Sequence, residues 1–160
     1  MKKLINNKKG FTLIELLAVI VILAILVMVA IPAVTKYLNA ARQGTFADNA
    51  HSAISAVRND VIKNGVGSKT YTLSDINNLL EKKLNTSPFG SPYEGASYIK
   101  VTQTEKKDKD GKGTGEYEYK YSMCLADDTN HGFKETAEND IDEYVVKMSG
   151  ITCKSSWYFN

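Results

Sequence analysis

The sequence predicts an α+β protein, a long N-terminal α-helical spine packed on a small antiparallel β-sheet head. Three observations carry that prediction. The 20 residues from Leu16 to Thr35 are uncharged and almost wholly apolar. Apolar residues at helical spacing continue well past them, and strict two-residue alternation begins only near Tyr98. The averages alone are those of an ordinary globular chain: 160 residues, 43% hydrophobic and 24% charged, with 20 Lys plus Arg against 18 Asp plus Glu. They conceal a segregated molecule that divides into residues 1–10, 11–35, 36–63 and 64–160.

The apolar run is read first, because its length decides its kind. A secretory signal has an apolar region of about 7 to 15 residues and small residues before its cut. Leu16 to Ile31 is longer, and Met28-Val29-Ala30 is a poor cleavage signal. A helix from Phe11 to Ile31 spans about 32 Å, the hydrocarbon thickness of a bilayer. A membrane-spanning helix is therefore expected. Lys2, Lys3, Lys8 and Lys9 precede it with no acid among the first ten residues, which places the N-terminus in the cytoplasm and the rest outside. The other 150 residues keep 16 bases and 18 acids, a net charge of −2, so a polycation built for nucleic acid is not indicated.

The helix is expected to run on to about Lys63. Phe46, Ala50, Ala53, Ile54, Val57 and Val61 share one face of a 3.6-residue period, with Arg42, Asp48, Asn49, Arg58 and Asp60 mostly elsewhere. Asn64-Gly65 is a sensible stop. Pro32 and Gly44 predict bends or local melting. In the head, Ser74 is expected to cap a short helix whose apolar face is Ile76, Leu79, Leu80 and Leu84. Pro88, Gly90 and Pro92 mark a loop. Tyr98 to Thr104 and Glu116 to Leu125 read as antiparallel strands, the second with Tyr117, Tyr119, Tyr121, Met123 and Leu125 on one face. Lys106 to Gly113 is the charged hairpin between them. Tyr144 to Met148 is expected as a third strand, extended or reversed by Ile151 to Cys153.

The stretch Lys8-Lys9-Gly10-Phe11-Thr12-Leu13-Ile14-Glu15, followed by Leu16-Leu17-Ala18-Val19-Ile20, resembles the class III signal sequence of type IV pilins and related pseudopilins. The resemblance implies that residues 1–10 are a prepilin leader, cut after Gly10 by a membrane prepilin peptidase, and that Phe11 is then N-methylated. It puts Glu15 where the family keeps its glutamate and Pro32 at the family's helix-kinking proline. A long helix packed on a small antiparallel sheet is also the architecture that the family implies. Physical reasons for such a pattern are available. Removing the leader removes all four lysines that hold the span in place and frees an amine on Phe11. Inside a filament core, Glu15 of one subunit could pair with that amine on a neighbour, each charge being costly when unmatched. Glu15 snorkelling or protonated at the membrane surface is the plainer alternative.

The resemblance covers Lys8 to Pro32 and implies a structural, non-enzymatic protein. Its expected partners are further pilin subunits in a homopolymer, the prepilin peptidase, the pilus assembly machinery and, before assembly, the membrane. The precursor is expected in the cytoplasmic membrane as a single-pass protein and the product outside the cell, serving adhesion, surface motility or biofilm. A pseudopilin of a type II secretion system and a competence pilin share the motif. A single-span anchor carrying a ligand-binding or enzymatic domain is the reading from another class.

Elsewhere the residues favour bland roles, and no cofactor or metal is expected. Cys124 and Cys153 lie on the outer side, where disulfides persist; a bridge would close a loop of about 30 residues, and two buried free thiols are the alternative. A bridge would resemble the C-terminal disulfide-bounded loop of many pilins in position only. Asp108, Asp110, Gly111 and Glu116 fail the EF-hand pattern at Lys112. His51 and His131 have no nucleophile or orienting acid at catalytic spacing. The lysines from Lys106 to Lys112 are diluted by acids, and no specific nucleic acid is expected. Trp157, Tyr158 and Phe159 either tuck against the head or serve a subunit contact.

Overall fold

The structure, a computed structural model, describes residues 10–153. The four N-terminal lysines and the Trp157, Tyr158 and Phe159 cluster lie outside the described residues. The chain divides into two compact units, one ending at Asn39 and one running from Ala40 onward.

Helix α1, Leu13–Asn64, is 52 residues long and continuous through Pro32 and Gly44, so of the bends or local melting expected there the melting does not occur. In the first unit every residue from Gly10 to Leu38 is exposed. No polar face exists there to turn towards water, since the run is apolar on all sides. Among the described residues α1 alone is long and apolar enough to cross a membrane, by length and composition.

The second unit has a core of its own. Phe46, Ala50, Ala53, Ile54, Val57 and Val61 of α1 are all buried, as their spacing predicts. Gly65 follows in the left-handed conformation, φ 61°, and its N–H reaches the Val61 carbonyl at 3.0 Å. That stops the helix one residue later than expected. Four antiparallel strands follow in the spatial order of the sequence: β1 (Lys69–Thr72), β2 (Tyr98–Lys107), β3 (Gly113–Ala126) and β4 (Gly132–Ala137). The helix α2, Leu73–Leu79, and a loop join β1 to β2. Phe46 sits at the centre of the core, 5.2 Å from the Tyr93 ring and 6.2 Å from Phe133.

Several local expectations are corrected. Thr72, not Ser74, caps α2: its Oγ1 accepts from the Asp75 N–H at 3.3 Å, and Asp75 Oδ2 accepts from the Thr72 N–H at 3.0 Å. This reciprocal pair outbids a lone serine. The helix ends at Leu79, which is 37% exposed, with Leu80 already in extended conformation, while Leu84 is buried from the loop beyond it. Tyr144 to Met148 forms no strand, only an isolated bridge from Lys147 to Gly132. Asp142 Oδ1 accepts the N–H groups of Tyr144 and Val145 at 2.9 and 3.1 Å and folds that segment into a turn. The place beside β3 is taken by β4. Ile151 to Cys153 is likewise not a strand; the Ile151 N–H reaches the Asn130 carbonyl.

Strand β3 differs most from its simple alternation. Tyr121, Met123 and Leu125 face α1 as predicted, but Tyr119 is half-buried and Tyr117 is 52% exposed. Cys124 and Ala126 are buried on the opposite face, in a second small cluster with Ile151 and Cys153, flanked by Ala96 and Tyr98. The sheet is thus covered on both faces at this end, and a register shift between Met123 and Leu125 accompanies it.

Candidate processing and assembly site

The residues expected to govern processing gather at the start of α1. Gly10 and Phe11 precede the helix, with Phe11 91% exposed. Among the described residues nothing lies within 4 Å of a Cβ built on Gly10, so a Cβ there meets no steric barrier from them.

Glu15 is occupied within its own chain. Its Oε2 accepts from the Thr12 N–H and the Thr12 hydroxyl, both at 2.8 Å, and the Glu15 N–H returns a bond to Thr12 Oγ1 at 3.3 Å. Thr12-Leu13-Ile14-Glu15 is therefore a capping box, which satisfies orphan donors of the first turn. The Thr-x-x-Glu spacing was a legible signal for it, and it adds a second role to a residue singled out for its charge. Pro32 lies 17 residues further along the same helix, about 25 Å at the rise of an α-helix, and is not part of this cluster. Near it, the Thr35 hydroxyl bonds the Ile31 carbonyl at 2.9 Å.

In the second unit Cys124 and Cys153 form a disulfide. The Cys153 N–H donates to Glu94 Oε2 at 2.9 Å, which ties the end of the described chain to the loop before β2. The hairpin tip is organised by Asp108, whose Oδ1 accepts from the N–H groups of Asp110 and Lys112. His51 donates from Nε2 to the Ile141 carbonyl at 2.9 Å.

A polar centre that sequence reading missed holds the loops together. Asp127 is 1% exposed. It accepts from Ser87 Oγ at 2.7 Å, the Thr129 hydroxyl at 2.8 Å, and the N–H groups of Thr129 and His131 at 3.0 Å. His131 Nδ1 lies 3.1 Å from it, and the imidazole stacks on Phe89 with ring centres 4.3 Å apart. Burial opposes the charged form of Asp127, but these donors together outweigh it and hold the carboxyl below its usual range. With its oxygens so engaged, Asp127 is a structural hub. Burial similarly pushes the Tyr93 phenol up to about 12, beside Asn49, which donates to it at 2.9 Å.

The model for the prokaryotic N-terminal methylation motif matches residues 5–31. No curated protein and no solved structure matches the chain. The motif supports a type IV pilin-like or pseudopilin protein, and its class III signal fits a membrane-anchored precursor. It ends within the exposed apolar part of α1.

Proposed function

We propose that the protein is a structural subunit of an extracellular type IV pilus. In this reading prepilin peptidase cuts between Gly10 and Phe11, the Phe11 amine is methylated, and the mature chain polymerises through its N-terminal helix. The observation that carries it is the methylation motif at residues 5–31 running into a helix whose apolar side chains are exposed on every side. Residues 1–10 are the leader, 11–35 the membrane and filament-core segment, 36–63 the second half of the spine and 64–160 the head. Glu15 would exchange its Thr12 partners for the amine of a neighbouring subunit, and a wrong axial register would leave both charges unmatched. Pro32 supplies the family's kink. The size of the head favours an adhesive or motility pilus over a pseudopilin of a secretion system.

The test is intact mass and N-terminal fragmentation of the protein in material sheared from the cell surface. The expected species begins at N-methylated Phe11, and Gly10→Phe should leave full-length precursor in the membrane. An unprocessed Met1 terminus confined to membranes would overturn the reading and leave an anchored domain.

A further inference from the structure

The β2–β3 hairpin outgrows its sheet. The last partner of β1 on β2 is Val101, and β4 pairs with β3 only from Ser122 onward. Between these limits residues 102–120 form a two-stranded arm that no strand among the described residues flanks; at its base Ser68 Oγ accepts from the Gln103 N–H at 2.9 Å, and all but Gln103 and Tyr119 are exposed. A lone two-stranded ribbon is marginal in water. This one is pinned by its own side chains, including Lys106 to Glu116 at 3.2 Å and the Glu105 carboxylate on the Gly115 N–H at 3.1 Å. At its tip Lys107, Lys109 and Lys112 are exposed and make no ion pair among the described residues, while the Asp108 carboxylate is turned onto the backbone of the turn. Asp108 keeps its charge there, and with Asp110 it leaves residues 107–112 three lysines against two acids, a net charge of +1.

Another surface of the same unit has the opposite character. From Glu138 to Glu143 there are four acids and no base. Glu138 is held by Arg58, which leaves Asp140, Asp142 and Glu143 exposed and without ion pairs among the described residues. Directly after them Tyr144 is 78% exposed. Carboxylates beside an open aromatic ring suit an ammonium group, which gains from both the charge and the ring face. The two surfaces cannot meet within one chain. The arm tip lies nine residues along β3 from Ser122, about 30 Å at the rise of a strand, and Ser122 is opposite Ala137, where the acidic segment begins. The Ile141 carbonyl then meets His51 and the Val146 carbonyl meets Gln43, so the segment runs away from the arm.

We infer that the lysine tip of the arm docks on the Asp140 to Tyr144 surface of a second copy of this chain, as a head-to-tail contact along the filament. The contact is heterologous, with different patches meeting, so it propagates along an open helical polymer instead of closing a dimer. It rests on the filament reading above and adds to it the head surfaces that join successive subunits.

Charge reversal on each surface, alone and together, tests it in cells producing the full chain. K107E/K109E/K112E and D140K/E143K, which spares the turn-forming Asp142, should each lower the yield of sheared filament at least about tenfold, since like charges then face each other. The combined five-fold swap should restore it. All five positions are exposed, and an unchanged melting temperature with an intact Cys124–Cys153 bond verifies the fold of each variant. Normal filaments from both single-surface variants overturn the contact alone, and so does loss in both without recovery in the swap. A wild-type chain that yields no filament overturns the filament reading and the contact with it.

Discussion

Helix α1 lives under two regimes. Up to Leu38 its residues are exposed all round; from Phe46 to Val61 one stripe is fully buried and the other faces stay polar. Helicity is the same in both. The difference lies in how apolar residues are distributed around the axis: all round in the first unit, on one narrow face in the second. A narrow apolar stripe is satisfied by a sheet from the same chain. An apolar surface on every side needs an apolar surrounding that the described residues do not supply, such as lipid or other copies.

Substitutions on the two sides should separate these regimes. Phe46→Ala removes a ring at the centre of the core and should cost about 3 to 5 kcal/mol in chemical unfolding of the detergent-solubilised protein. Leu23→Ala should leave that midpoint unchanged, and an equal loss at Leu23 would break the comparison. Cys153→Ser should cost about 3.5 kcal/mol on the loop-entropy account, read from the same unfolding curve.

Asp127→Asn should cost about 1 to 3 kcal/mol at pH 7, because an amide presents donors to donors. The pH dependence follows from the lowered carboxyl. Its stabilisation is full above the ordinary aspartate value of about 3.9 and is lost as pH falls through the lower folded value. Wild-type stability should therefore fall more steeply on acidification than that of the Asn variant; parallel curves would contradict the assignment. The smallest effects belong to the two capping boxes. Thr72→Val should lower the stability of the second unit by about 1 kcal/mol. Thr12→Val should leave that stability alone and speed amide exchange only in the first turn of α1.

What the sequence revealed follows from how far each determinant reaches along the chain. The buried stripe from Phe46 to Val61 repeats every three or four residues and is visible at once. The position of Glu15 was readable too, and Thr12 could have been read with it. The choice between Thr72 and Ser74 turned on Asp75 three residues on from the true cap. Strands β1 and β4 escaped notice because each is short and buries few side chains, Tyr71 in one and Phe133 in the other, among polar neighbours. The Asp127 hub was legible only in part: Thr129 and His131 lie within four residues of it, but Ser87, 40 residues away, does not show in the local pattern. The second burial face of β3 was hidden for a similar reason: Cys153, which covers it, lies 29 residues from Cys124.

The Cys124–Cys153 bond gives β4, the Glu138–Asp140 turn and the acidic segment a property that no hydrogen bond provides. Residues 125–152 form a closed covalent loop. Tension applied to the two ends of the chain bypasses that loop through the sulfurs, so those residues cannot be paid out as slack when a surface-anchored chain is pulled. A protease that cuts once inside it adds a molecule of water but releases no fragment. Wear on this part of the molecule must strike twice, or reduce the bond first, before any of it is lost.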